Sequence, residues 1–155
     1  MSDLTEYEAR REALRENYLS EDSSAPVSTA GVDHLALICS DMDATVRFYT
    51  EVLDMRLAKV ITNRDDPTST HVFLDMGGGN MLAFFDFPEH GPAPAVRGVG
   101  AMHHVALKAE AEKYRKIVQT LKARKIDHSI HGSEDVGSVY LRDPDNILVE
   151  VTTGY

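Results

Sequence analysis

The stretch "VDHLALICS" at residues 32–40 has a counterpart 70 residues later in the chain, "MHHVALKAE" at residues 102–110. Each is a short apolar run bounded by polar or turn-forming residues, which is typical of a buried β-strand. Three pairs of residues match when the runs are aligned: His34 with His104, Ala36 with Ala106, and Leu37 with Leu107. A repeat at this distance indicates two copies of one structural module.

The segments that follow the two runs predict the same order of elements. After the first run come one helix and three strands, at residues 41–53, 55–62, 70–76 and 80–87. After the second run come one helix and three strands again, at residues 112–125, 127–132, 138–143 and 147–153. Both helices carry apolar residues at helical spacing, which gives each one apolar face. We therefore predict an α+β fold built from two βαβββ modules.

The N-terminal part of the chain differs from the rest. Residues 1–20 predict a short charged helix, and the turn-rich stretch "SEDSSAPVSTAG" that follows reads as a linker. We predict an N-terminal helix and linker over residues 1–30 and one domain over 31–155, with module one at 31–90 and module two at 100–155. The helix either packs loosely, docks on a partner chain or covers a site.

Composition limits the function classes. The chain has 155 residues and a net charge of −9, which disfavours nucleic acid and anionic membrane as partners. No apolar run approaches the roughly 20 residues of a membrane span, and the N-terminus does not resemble a signal peptide. Cys39 is the only cysteine, so no internal disulfide is possible. We expect a protein of the reducing cytoplasm.

The repeat selects two histidines as candidate metal ligands. His34 and His104 occupy the same position of the two matched strands, whereas a lone histidine is more often a hydrogen-bonded or partly buried imidazole. Because neighbouring side chains of a strand point to opposite faces, we expect His103 to point away from the face that carries His104.

An acidic residue in the last predicted strand completes the candidate ligand set. Glu150 lies in the apolar run "ILVEVTT", where an unpaired buried carboxylate would be costly. It lies on a solvated face, pairs with Arg142 or Lys108, or binds a metal. The matching position of module one is Ala83, or Phe84 if the register slips, and neither binds metal. Two histidines and one carboxylate with open positions suit Fe(II) oxygenase chemistry, with Mn(II) as the alternative ion.

Three stretches resemble the vicinal oxygen chelate superfamily, which contains glyoxalases, bleomycin resistance proteins and extradiol dioxygenases. They are "VDHLALICSDMDATVRFYTEVLDMRL", "MHHVALKAE" and "VYLRDPDNILVEV", within residues 31–153. The resemblance implies paired βαβββ modules that form a curved, partly closed mixed sheet around a divalent metal. It also implies that His34, His104 and Glu150 hold that metal.

The second module is most similar to small type I extradiol ring-cleavage dioxygenases. Their pattern of a histidine, an apolar residue with tyrosine, Asp-Pro and glutamate is matched by His131, Tyr140, Asp143 and Glu150, while Asn146 and Ser129 depart from it. Those enzymes place a further histidine about fifteen residues before the second metal histidine, and His90 stands 14 before His104. The resemblance implies that His90 is the acid–base residue and that His131 and Tyr140 bind the substrate oxygens. The residue-level alternatives are a solvated loop histidine, a turn histidine and an ordinary strand tyrosine.

The function that this resemblance implies is Fe(II)-dependent, O2-consuming cleavage of a catechol-like diol by a homodimer. One alternative is a non-oxidative metal enzyme of the glyoxalase or fosfomycin-resistance type, in which the metal acts as a Lewis acid. The other is a metal-free protein that binds or sequesters a small molecule. Whether one chain or two would supply the ligands of a site is left open by the sequence.

Overall fold

A computed structural model describes residues 4–154, and its contacts divide the chain into one unit up to Gly31 and another from Val32 onward. The first unit contains helix α1, Leu4–Tyr18, in which no residue is buried. Arg11 and Arg15 each pair with a glutamate three residues before them, at 2.7 Å. Such pairs stabilise an exposed helix by a few tenths of a kcal/mol each, about 0.2–0.5.

The second unit contains the two predicted βαβββ modules, and this prediction is confirmed. The first module consists of β1 His34–Cys39, α2 Met42–Glu51, β2 Arg56–Thr62, β3 Thr70–Gly77 and β4 Asn80–Asp86. The second consists of β5 Val105–Lys108, α3 Ala111–Ala123, β6 His128–Gly132, β7 Gly137–Arg142 and β8 Leu148–Thr152. Each module forms a mixed four-stranded sheet, ordered β1-β4-β3-β2 and β5-β8-β7-β6.

The described strands form two separate sheets, which are not closed into a barrel. In each sheet the first strand pairs in parallel with the last strand and has no neighbour on its other side, so β1 and β5 are edge strands. Ala36 lies opposite Ala83, and Ala106 lies opposite Glu150. Ala83 is thus the counterpart of Glu150, as the unslipped register predicted.

The core lies between the helices and one face of each sheet. Apolar side chains from both modules belong to a single buried cluster, which includes Tyr49 of α2, Phe84 of β4, Leu121 of α3 and Val149 of β8. The alternating positions on the opposite faces of β1 and β6 are more exposed. Burial of one face therefore fixes the direction in which His34 and His131 point, because a shift of one residue would exchange the faces.

A buried carboxylate joins the two modules. The hydroxyl of Tyr49 donates to Asp143 Oδ2 at 3.1 Å, and the backbone N–H groups of Asp145 and Ile147 donate to Asp143 Oδ1 at 2.9 and 2.8 Å. Burial raises the pKa of the Asp143 carboxyl and that of the Tyr49 hydroxyl. The Asp-Pro part of the sequence pattern is therefore a structural contact between α2 and the turn before β8.

Asn146 explains one departure from the family pattern. Its φ is +66°, in the left-handed region that most side chains avoid and that asparagine tolerates. Glycine is the other residue that enters this region freely. Asparagine can thus make the turn between β7 and β8 that this backbone conformation requires.

No helix among residues 4–154 combines the length and the apolar character that crossing a bilayer requires.

We predict that Tyr49→Phe lowers the free energy of unfolding by about 1.5–3 kcal/mol, because it removes a hydrogen bond to a buried charged group. Urea unfolding at pH 7 measures the change. Tyr18→Phe is the control, since the Tyr18 side chain is exposed and its loss should change stability by less than about 0.5 kcal/mol. Equal effects of the two substitutions would show that the hydrogen bond from Tyr49 to Asp143 does not stabilise the fold.

Candidate metal centre

Glu150 is fully buried near the middle of β8, at 0% exposure. It lies directly opposite Ala106 of β5 on one side and Tyr140 of β7 on the other. The side chain of Ala106 is a single methyl group. A buried carboxylate is costly unless a cation or hydrogen-bond donors surround it, so its position is informative about function.

His104 supplies the imidazole next to this carboxylate. Its Nε2 lies 3.0 Å from Glu150 Oε2, and the ring is half-buried. An imidazole nitrogen and a carboxylate oxygen at this separation could bind the same divalent ion after a small rotation of either side chain. The second module therefore provides two of the three predicted metal ligands in one place.

His131 and Tyr140 lie on the same face as His104. The ring centroids of His131 and Tyr140 are 5.8 Å apart, and those of His104 and Tyr140 are 6.3 Å apart, both in edge-to-face orientation. Ser129 of β6 lies opposite Tyr140, so β6 and β7 present these side chains side by side. The structure thus brings together four of the six predicted site residues, His104, His131, Tyr140 and Glu150.

His34 lies on the other sheet, at the start of β1. Its Nδ1 donates to Asp33 Oδ1 at 2.6 Å, which leaves Nε2 as the nitrogen available to a metal. Its ring packs edge-on against Phe73 with centroids 5.5 Å apart. Within residues 4–154 no three histidine, cysteine or acidic side chains are grouped closely enough to hold an ion. The described part of one chain therefore does not bring His34 together with His104 and Glu150.

The expectation for His103 is wrong. Strand β5 begins at Val105, so His103 and His104 precede it, and the alternation of side chains in a strand does not apply to them. Instead, His103 Nδ1 and His104 Nδ1 are 2.7 Å apart and share a hydrogen bond.

His90 lies in the loop after β4, in the first module. It is exposed, its ring stacks on Phe87 at a centroid distance of 4.9 Å, and its backbone N–H donates to the Phe87 carbonyl. No hydrogen bond or ring contact in the described residues joins it to His104. To act as an acid–base residue at His104, His90 would have to come from a first module that faces the second module, either within one chain or between two chains.

Sequence reasoning missed His71 of β3. Its ring stacks on Phe85 at a centroid distance of 3.7 Å, contacts Phe73 at 4.1 Å and lies 6.5 Å from His34. The Nε2 atom is buried and has no hydrogen-bond partner among residues 4–154. Burial lowers the pKa of His71, and the nearby His34 and Lys59 lower it further. Alternation along the strand could have indicated this cluster, since His71 and Phe73 are two residues apart and therefore lie on the same face of the sheet.

Cys39 is buried at the end of β1, and burial raises the pKa of its thiol to about 11. The thiol is therefore protonated near neutral pH and is a poor nucleophile or metal ligand.

Over residues 31–151 the sequence matches the Glyoxalase/Bleomycin resistance protein/Dioxygenase superfamily, so the chain belongs to this family. The resemblance predicted from the repeated stretches is confirmed. The family includes several chemistries, so membership alone does not select one.

Two proteins of Bacillus subtilis (strain 168) have similar sequences. The "Putative ring-cleaving dioxygenase MhqE" is 33% identical over 75 residues, which are 46% of this chain and 25% of that protein. The "Putative ring-cleaving dioxygenase MhqA" is 29% identical over 105 residues, which are 64% of this chain and 32% of that protein. The chain thus spans about a quarter to a third of the length of these curated relatives.

Solved structures share the fold. A glyoxylase/bleomycin resistance protein/dioxygenase domain from Frankia sp. EAN1pec has a TM-score of 0.70 and 21% identity, covering 83% of this chain and all of that one (100%). A mutant of the fosfomycin resistance protein FosX from Listeria monocytogenes, complexed with Mn(II) and 1S,2S-dihydroxypropylphosphonic acid, has a TM-score of 0.62 and 19% identity, covering 82% and 94%. A member of this fold therefore binds a divalent metal.

We predict that His71→Phe stabilises the protein by about 1 kcal/mol at pH 8, because it keeps a stacked ring and removes a buried nitrogen without a partner. The gain should grow as pH falls below 6.5. Since the pKa of His71 is lowered from 6.5 in the folded state, the unfolded chain takes up the proton first and acid destabilises the wild type.

Urea unfolding at pH 8 and pH 5.5 measures both effects. His128→Phe is the matched control, since His128 Nδ1 donates to the Ile126 carbonyl at 2.8 Å and its loss should destabilise. A destabilising His71→Phe at both pH values would show that the His71 nitrogen has a partner in solution.

Proposed function

We propose that this chain is the subunit of an Fe(II)-dependent dioxygenase that cleaves the ring of a catechol-like aromatic diol. The grouping of Glu150, His104, Tyr140 and His131 on one sheet face carries the proposal, because it joins two metal-binding side chains to two side chains that can bind substrate oxygens. Similarity to two proteins named as ring-cleaving dioxygenases supports it. Mn(II) is the alternative ion.

The proposed ligands are His34, His104 and Glu150. A redox-active divalent metal held by these residues would supply the electron path between an aromatic diol and O2. His131 and Tyr140 bind and orient the two substrate oxygens, since their rings lie within 5.8 Å of each other on the side of Glu150. His90 exchanges a proton near the substrate, since histidine is the side chain that most often serves as a general acid or base.

The exposed face of the first sheet supports a planar aromatic substrate. Four rings form a stacked row: His71, Phe85, Phe87 and His90, with neighbouring centroids 3.7, 5.6 and 4.9 Å apart. Aromatic rings favour offset stacking with a further ring, beyond the free energy of burying apolar area. The row runs between the neighbourhood of His34 and the loop that carries His90, so it would form an apolar wall of the site.

We propose a homodimer in which each site is shared between two chains. His34 is on one sheet, while His104 and Glu150 are on the other, and residues 4–154 of one chain do not bring all three together. The edge strands β1 and β5 each lack a neighbour on one side. A two-fold dimer would place β1 of each copy beside β5 of the other and form two equal sites.

The proposed location is the cytoplasm, where a single buried thiol such as Cys39 stays reduced.

We expect iron-loaded protein to consume O2 and open the ring of a member of a catechol panel, and to be inactive without O2. His131→Ala and His90→Ala should keep iron but lower turnover by about 10²–10⁴-fold, the usual scale for a positioned acid–base group. Tyr140→Phe should lose less, since it removes one hydrogen bond. Oxygen uptake and ring-opened product measure turnover, and metal analysis measures iron.

His128→Ala is the control for this series, because His128 lies on β6 but on the opposite face from His131. Full activity of the His90→Ala, His131→Ala double variant would reject the roles of these residues. Turnover of an epoxide or a hemithioacetal without O2 would move the protein to the non-oxidative class. A wild type that binds small molecules but no metal would make it a binding protein.

Mixing inactive variants tests whether the site is shared. His34→Ala and Glu150→Ala should each lose metal, but a heterodimer of the two has one complete site. After subunit exchange of an equal mixture, about a quarter of the wild-type metal content and activity should return, since half of the dimers are mixed and one of their two sites is intact.

The matched control is an equal mixture of His104→Ala and Glu150→Ala. Both changes lie in the second module, so every site of every dimer lacks a ligand and nothing should return. Sites formed within one chain would give no recovery in either mixture.

A further inference from the structure

The contact between His103 and His104 holds a single proton. Their Nδ1 atoms are 2.7 Å apart, and the rings are edge-to-face at a centroid distance of 5.0 Å. Two nitrogen atoms at this distance need one hydrogen between them, so one imidazole donates and the other accepts. A histidine pair with both Nδ1 atoms protonated, or with neither protonated, would not form this bond.

The two possible donors leave His104 in different states. If His103 donates, neutral His104 carries its proton on Nε2, which can donate to Glu150 Oε2 at 3.0 Å. If His104 donates, its proton is on Nδ1 and its Nε2 presents a lone pair beside the same carboxylate oxygen. Only the second state can bind a metal through Nε2, because a protonated imidazole nitrogen is not a ligand.

We infer that His103 is a positioning residue for the proposed metal ligand His104: when the ion is bound, His103 accepts the Nδ1 proton of His104 and so holds the ring in the tautomer that leaves Nε2 free. This inference rests on the metal site of the proposed function. Metal-binding histidines commonly donate their second ring N–H to a carboxylate, a carbonyl or water. Here the acceptor is another imidazole.

The histidine pair carries two ring protons both before and after metal binding. Without metal, the two protons are on His103 Nδ1 and His104 Nε2. With metal, they are on His104 Nδ1 and His103 Nε2. The His104 Nε2 proton leaves to solvent, the shared proton moves between the Nδ1 atoms, and His103 Nε2 takes up one from solvent, which the exposure of His103 allows.

The first ligand has a different arrangement. His34 Nδ1 donates to the carboxylate of Asp33, the residue before it, at 2.6 Å. His103 is likewise the residue before His104 in the matched stretch of the second module. The repeat thus supplies an acceptor for the ligand imidazole at the same position in both modules, a carboxylate in one and an imidazole in the other.

The decisive variant is His103→Phe, which keeps a ring beside His104 but removes the acceptor. We expect the dissociation constant for Mn(II) or Zn(II) to rise about 10–100-fold, the usual effect of losing such a partner. His103→Gln should recover part of the loss, because its amide oxygen can accept the proton. His128→Phe, which removes a histidine nitrogen bonded to a backbone carbonyl, should leave metal affinity unchanged.

Long-range ¹H–¹⁵N spectra of the histidine rings give a second readout that does not depend on activity. On addition of Zn(II), the proton of His104 should move from Nε2 to Nδ1, and that of His103 from Nδ1 to Nε2. Unchanged metal affinity in His103→Phe, or a Zn-loaded protein in which His103 keeps its Nδ1 proton, would overturn the role of His103. A wild type that binds no metal would overturn the proposed site itself, and the positioning role with it.

Discussion

The carboxylate of Asp143 is the contact on which the placement of the candidate site depends. It accepts hydrogen bonds from α2 through Tyr49 and from the turn that starts β8 through the N–H groups of Asp145 and Ile147. These bonds offset the cost of burial that raises the pKa of its carboxyl. Because the start of β8 is fixed in this way, Glu150 lies opposite Tyr140 instead of one residue away.

Burial of Glu150 is hard to explain by stability alone. An apolar residue at this position would fill the same space without desolvating a carboxylate, and such replacements are often neutral or stabilising. The small residue Ala106 lies opposite Glu150, and His104 Nε2 is 3.0 Å from Glu150 Oε2. Both observations fit the proposed metal site. His71 has a similar imbalance, with a buried nitrogen that has no partner in the described residues. Both features lie on the sheet faces that turn away from the shared core.

Alternation and internal repetition predicted most of the fold. The two modules follow from the pairing of His34 with His104, and the register that matches Ala83 to Glu150 is observed. The failure at His103 has a local cause, since the hydrogen-bonded ladder starts at Val105 and the apolar run gives no sign of that boundary. The separation of His34 from the other candidate ligands could not be predicted, because it depends on how two complete modules pack through their helices.

The partners of the two proposed ligand imidazoles affect the charge of the site. Asp33 brings a negative charge to the side of His34, and Glu150 brings one to the side of His104. Together they would balance the charge of the proposed divalent ion. If a second carboxylate stood in place of His103, the proposed metal site would carry one more negative charge. Coulomb repulsion would then disfavour the binding of an ionised diol. An imidazole acceptor at this position would orient His104 without adding a carboxylate charge, and this difference between the two halves of the repeat fits the proposed chelating diol.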